Sequence, residues 1–387
     1  MAASGKRKVV VACATFKGTL SSKAAGEAVA RGLAAAGMEA SVAVLADGGE
    51  GLVEALAAQV PGSLLVGAPC RCPLLNPRTA TFAVLPKSEG RKRVTAVIEM
   101  AASSGLTLVP EDKRDPKIAT SLGVGDQILA ALEHQPEDLE ILLGLGGSAT
   151  NDGGAGMAQA LGAHLLDGGG VELEPGGAAL AGLAKIDISE LEPRLKNVPV
   201  TVACDVRNPL CGPNGASHIF GKQKGGTPAD LELLDKALAH YAGIIKCDLG
   251  KDVANIPGAG AAGGLGAGCL AFLNAQLKPG IELVLDAIDF DRTLDGASLV
   301  ITGEGMLDDQ TLMGKAPSGV AARAAKKGLR CVAIGGSIDQ AHEAALRKRF
   351  NAIESLTEKA GSVESAMQEP ARWLEHVAHD SIARWLS

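Results

Sequence analysis

Short apolar runs recur along the chain, each closing in a polar or glycine turn that leads into a stretch with helical spacing. Residues 8–12 form a β-branched run followed by Thr15-Phe16-Lys17-Gly18. An alanine-rich helical stretch then starts at Ser21 or Ser22 and continues to about residue 36. Residues 40–45 read as the next strand, which ends in Ala46-Asp47-Gly48-Gly49-Glu50-Gly51 before another helix. Further strands are expected at 94–99, 139–145, 200–204, 298–302 and 330–334, and further helices at 123–133 and 318–327. Strands that alternate with helices predict a doubly wound, mostly parallel α/β sheet.

The rhythm breaks twice. Residues 67–89 read as short strands with Pro and Asn turns, a hairpin pattern. Residues 163–279 are loop-rich, with glycine clusters at 168–170, 175–177 and 258–268. Both breaks are assigned to a mixed α/β domain (67–92 and 163–279) inserted into a discontinuous one (1–66, 93–162 and 280–387). A chain that leaves one domain and returns makes a cleft, where ligands usually bind.

Within this pattern residues 139–157 carry the densest signal. The apolar Ile141-Leu142-Leu143 breaks into Gly144-Leu145-Gly146-Gly147 and then Ser148-Ala149-Thr150-Asn151-Asp152, a concentration of helix N-cap residue types. A strand, a glycine turn and a helix start together offer backbone N–H groups and a positive dipole end to an anion.

Composition narrows the classes. At 387 residues the chain is long enough for two domains. With 50 glycines and 2% aromatic residues, its core must be built from small and branched aliphatic side chains and close backbone approaches. A net charge of −7 argues against nucleic acid, whose binding needs a basic surface. No apolar run is long enough for a bilayer and no secretory leader is expected, so neither a membrane partner nor export is anticipated. The 8 cysteines are scattered without a C-x-x-C pair, which points to reduced, mostly buried thiols in a cytoplasmic protein. His376 and His379 share a helical spacing and read as surface histidines.

Chemistry-bearing residues gather just past the apolar runs, where ligands of open α/β sheets bind. Lys17 follows the first run, and Asp47 and Glu50 follow the second. Asp205, with Asn208 and Asn214, follows 200–204. Glu304 follows 298–302, with Asp308, Asp309, Gln310 and Lys315 beyond it. Each set has a plainer reading, in which turn carboxylates merely accept local N–H bonds and lysines such as Lys224 are loop charges. Walker A is absent, because Gly314-Lys315 is followed by Ala316. The segment 144–149 fits G-x-G-x-x-A after a strand, with Asp167 near the place of a ribose acid, which keeps a nicotinamide-dependent oxidoreductase open. The segment 258–263 fits G-x-G-x-x-G but lacks a clear strand before it.

At these residues the chain resembles the type I glycerate kinases. The resemblance runs in order through FKGTLSS at 16–22, ADGGEG at 46–51, IEMAASSGL at 98–106, TSLGVG at 120–125 and GLGGSATNDGGAGM at 144–157. It continues through ACDVRNPLCGPNGAS at 203–217, PGAGAAGGLGAG at 257–268, ITGEGMLDDQT at 301–311 and GKAPSGVA at 314–321. It implies two unlike α/β domains, one Rossmann-like and discontinuous, with the active site between them. It also implies transfer of the γ-phosphate of ATP to D-glycerate, mostly at the 2-hydroxyl, with Mg²⁺. The expected roles follow that chemistry. Gly146, Gly147, Ser148, Thr150 and Asn151 would surround ATP phosphates, and Asp47, Glu50 or Glu304 would hold Mg²⁺. Asp205 would take the glycerate proton with help from Asn208, and Lys17 or Lys315 would neutralise phosphate or carboxylate. Relatives commonly carry Asp-Ser where this chain has Ala14-Thr15, and Arg207 stands where Thr is frequent. The missing acid leaves a non-catalytic metabolite-binding homologue as a third reading, and monomer and homodimer are both compatible.

Overall fold

The computed structural model describes residues 7–45, 51–135 and 137–387. They divide into two compact units, Met1–Asp47 with Ile281–Ser387, and Gly48–Gly280.

The first unit is Rossmann-like. Its five strands form one parallel sheet in the order Ala352–Ser355, Cys331–Ile338, Ala297–Leu307, Lys8–Cys13, Glu39–Val42. Val9, Val11, Leu299, Ile301 and Val332 pack with Ala25, Val29 and Leu33 of the helix Ser22–Ala35 and with Leu374, Val377 and Trp385 of Pro370–Leu386. Val10 and Val300, equally buried, point to the opposite face, where Ala316–Lys326 lies. Burial on both faces explains why these strands are continuous apolar runs. The chain winds outward both ways from the middle, so its direction reverses between Lys8–Cys13 and Ala297–Leu307, where Cys13 aligns with Gly303. Such a reversal is the usual ligand position of an open parallel sheet, beyond the carboxyl ends of the strands.

The second unit holds six strands in the order Gln276–Lys278, Val200–Ala203, Leu139–Gly144, Val94–Glu99, Pro77–Leu85, Leu64–Arg71. The first four are parallel, and the last two are the hairpin expected near 67–89, added antiparallel. A two-stranded ribbon, His164–Leu166 with Lys185–Asp187, completes it. Residues 51–66 and 93–162 fall in this unit, where the sequence had grouped them with the first. Val94–Glu99 and Leu139–Gly144 hydrogen-bond to each other and to the neighbours Pro77–Leu85 and Val200–Ala203.

The loop-rich reading of 163–279 also misses three α-helices, the short Ala216–Phe220 and two longer ones. Pro228–Leu249 starts at a capping box in which Thr227 accepts from Asp230 N–H and the Asp230 carboxylate accepts from Thr227. Ala261–Phe272 is kinked through left-handed Ala262, Gly263 and Gly264. No described helix is long and apolar enough to cross a membrane.

Candidate functional site

A cavity of about 480 Å³ lies at the reversal point of the first unit's sheet. Its charged lining is Lys17, Glu304, Asp308 and Lys315. Lys17 sits on a loop closed by Phe16 N–H to Leu20 O at 2.9 Å and Leu20 N–H to Phe16 O at 3.0 Å. Phe16 anchors that loop in the core, and Gly18 supplies its left-handed turn at φ +77°. Ser22 ties the neighbouring segments together, donating to Cys13 O at 2.7 Å and accepting from Leu45 N–H at 2.8 Å.

Glu304 departs from its expected place. The strand continues through it to Leu307, and Glu304 pairs with Gly335 instead of following the strand end. Its carboxylate is largely buried and accepts the Thr311 hydroxyl at 2.6 Å. That hydroxyl in turn receives Asp308 N–H at 3.0 Å, while Asp308 caps Asp309–Leu312 by accepting Thr311 N–H at 3.1 Å. Lys315 occupies the N-cap of Ala316–Lys326 and gives it no side-chain cap. A cation there is disfavoured by the macrodipole, so lysine and helix end together present positive potential to the cavity. Ala14 and Thr15 line the same cavity as Glu304 and Asp308.

The glycine-rich loop of the second unit is built differently from the expectation. The helix begins only at Ala155, after left-handed Gly154. Its start is served by Asp152, whose carboxylate accepts Gly154 N–H at 3.2 Å and Gly156 N–H at 3.3 Å, besides Ser121 N–H at 2.7 Å and its hydroxyl at 2.9 Å. The helix end thus already holds an anion of the chain's own. Gly147 is exposed and Gly146 half-exposed, whereas Thr150 and Asn151 are fully buried. Thr150 donates to Ala262 O at 3.4 Å and Asn151 to Ser217 Oγ at 2.9 Å.

Beneath this loop lies the residue that sequence reading set aside as a loop charge. Lys224 is 1% exposed. Its Nζ donates to Ser148 Oγ at 2.8 Å and Thr150 O at 2.7 Å. Burial pushes its ammonium down to about 7, against the opposing pull of the Asp152 charge. The sequence offered no signal for this, since Gln223-Lys224-Gly225 reads as solvent-facing.

Asp205 is exposed just past Val200–Ala203, and its Oδ1 accepts Gly280 N–H at 2.8 Å. Asn208 donates to Asn214 O at 2.9 Å, and its own carbonyl accepts Gly258 and Gly260 N–H, so it pins the 208–214 loop. Asp47 and Glu50 lie outside the described residues. Glu99, unremarked in the sequence, ends Val94–Glu99 and accepts Val53 N–H at 2.8 Å at the start of Leu52–Gln59. Burial raises its carboxyl, and backbone N–H groups partly offset that.

Among the described residues no three His, Cys, Asp or Glu side chains converge as a metal cluster. Glu304 and Asp308 on one cavity still fit Mg²⁺, which takes one or two carboxylates together with substrate phosphates and water. All eight cysteines are free thiols.

Comparison with known proteins accords with this geometry. The sequence profile of the glycerate kinase family matches residues 9–387. A glycerate kinase from Bacillus subtilis (strain 168) is 46% identical over 378 residues, 97% of each chain. A glycerate 2-kinase from Escherichia coli (strain K12) is 45% identical over 383 residues, covering 97% of this chain and 95% of its own. The crystal structure of a glycerate kinase 2 candidate from Salmonella typhimurium LT2 superposes with a TM-score of 0.82 at 40% identity, covering 98% of both chains. A profile matched over nearly the whole chain, with relatives this similar end to end, places the chain in the glycerate kinase family.

Proposed function

We propose that the enzyme transfers the γ-phosphoryl group of ATP to the 2-hydroxyl of D-glycerate, giving 2-phosphoglycerate and ADP. The observation that carries this reading is the first unit's cavity, where two lysines, a helix N-terminus and two carboxylates share one lining. Phosphoryl transfer through a loose transition state depends on positioning and charge neutralisation more than on covalent chemistry. Lys17 and Lys315 neutralise phosphate oxygens. Glu304 with Asp308 would hold Mg²⁺, with Asp47 and Glu50 as further candidates, and the ion would supply positive charge to offset that of the phosphates. Asp205 is the candidate to accept the hydroxyl proton, and Asn208 steadies its loop. Gly146, Gly147 and Ser148 face phosphate through backbone N–H groups, and Thr150 and Asn151 shape the loop from beneath. The name of the Escherichia coli relative supports the 2-position. Eight free thiols suit a reducing compartment, the cytoplasm.

The test is ADP release coupled to D-glycerate, ATP and Mg²⁺, followed by NMR of the product. Glycerate-dependent ADP and 2-phosphoglycerate are expected. No dependence on glycerate would sink the activity, and a 3-phosphorylated product would sink the regiochemistry.

A further inference from the structure

The first unit's cavity has apolar lining residues besides its charged ones. Met306, Val363 and Met367 are 47%, 54% and 56% exposed, and all three line this one cavity. Behind them Phe16, Leu356 and Ala366 are buried. Single exposed apolar side chains are ordinary on a protein surface, but several around one concave site mark a ligand with an apolar part.

This wall is built to hold its shape. Leu356–Ala360 begins directly after the last strand, where Ser355 accepts Glu358 N–H at 3.3 Å. Thr357 donates its hydroxyl to Gly336 O at 2.8 Å, which fastens the wall to the Cys331–Ile338 strand. After left-handed Gly361, Val363–Gln368 begins under Ser362, which accepts Ser365 N–H at 3.1 Å. Trp373 Nε1 donates to Ser365 O at 3.2 Å, which fixes the far end to the C-terminal helix.

D-glycerate bears an oxygen on every carbon and gains nothing from such a wall. Of the two substrates only ATP has an extended apolar face, its base. The cavity's size, about 480 Å³, is in the range of small-molecule sites. Methionine sulfurs make favourable, adaptable contacts with aromatic rings, and Met306 and Met367 line the cavity. We infer that the adenine of ATP lies against the wall of residues 356–370 and Met306, with the phosphates toward Lys17 and Lys315. This rests on the nucleotide-dependent reading above and adds to it the place and polarity of the base.

Photolabelling with 8-azido-ATP and Mg²⁺, followed by peptide mapping, tests the placement without turnover. Label is expected within 356–370 or on Met306, and excess ATP should block it. Val363→Glu and Met367→Glu alter side chains more than half exposed, which the fold should tolerate. Each is expected to raise the KM for ATP about tenfold, with the KM for D-glycerate moving at least about fivefold less. Met313→Glu, at an 80% exposed methionine outside the cavity lining, is the control and should leave both values unchanged. ATP-protected label elsewhere in the chain, or a wild-type KM for ATP in both wall variants, would overturn the inference. A wild-type enzyme that labels at the wall without glycerate-dependent ADP release refutes the glycerate reading and upholds the nucleotide site. One that releases ADP but labels elsewhere refutes this inference alone.

Discussion

A lysine as buried as Lys224 ordinarily carries an ion-pair partner at contact distance. Lys224 gives its protons instead to two neutral oxygens of one loop, Ser148 Oγ and Thr150 O. Its contacts make it a candidate positioning residue for that loop. Lys224→Met should cost little net stability, because an apolar side chain of similar volume also ends the cost of burying an amine. It frees the loop, however, and a displacement near 1 Å costs turnover about 100-fold. Its pH signature has a definite sign. The unfolded lysine keeps its proton up to about 10.5 and the folded one releases it near about 7. The associated stability is thus fully present above the higher value and lost as pH falls toward the lower. Urea unfolding from about pH 7 to about pH 9 should show the wild type gaining on Lys224→Met, and parallel curves would refute this. Asp205→Asn keeps an oxygen for Gly280 N–H, so the fold should survive while kcat drops about 100-fold through loss of the base. Unchanged turnover at saturating substrates would remove Asp205 from the chemistry.

At the scale of elements, the two glycine-rich motifs of the second unit are one packing device. Gly153 N–H donates to Gly263 O at 3.0 Å, and a Cβ on Gly263 would stand 1.9 Å from Thr150 O with φ at +68°. The G-x-G-x-x-G spacing at 258–263 is therefore spent on contact between backbones. Gly263→Ala should destabilise the protein by more than about 3 kcal/mol, read as a lowered midpoint of thermal or urea unfolding. A wild-type midpoint would mean the two segments can part without cost. Elements with clean periodicity were legible beforehand: Val94–Glu99 lies at the expected 94–99, and Ser22–Ala35 starts at one of its two expected serines, with the other, Ser21, as its N-cap. Glycine-rich Ala261–Phe272 was not, because its helix is held by neighbours that local propensity does not report. Nor was the length of Ala297–Leu307. Gly-Glu-Gly has weak strand propensity, and its pairing with Cys331–Ile338 overrides that.

For the whole molecule, thiol reactivity offers a reading of both units at once. Cys247 is exposed, whereas Cys13, Cys70, Cys269 and Cys331 are buried. Burial pushes Cys13 and Cys331 up to about 12 and also raises Cys269. Only thiolates alkylate readily. Iodoacetamide near neutral pH should therefore modify Cys247 first and leave those four intact until the protein is unfolded. Early modification of Cys13 or Cys269 by peptide mapping would contradict the two cores. By itself, the sequence determined the class of fold, the family resemblance and the identity of Lys17, Glu304 and Lys315 as candidates, because periodicity and motifs are local in the chain. Only the tertiary structure decided that these three line one cavity with residues 356–370, since strand order at the sheet's reversal brings distant segments together. The same reason governs Lys224, whose burial depends on residues far from it in the chain. It also governs the membership of 93–162, which followed hydrogen-bonded strand pairing instead of the order of elements. Sequence spacing carries neither of these.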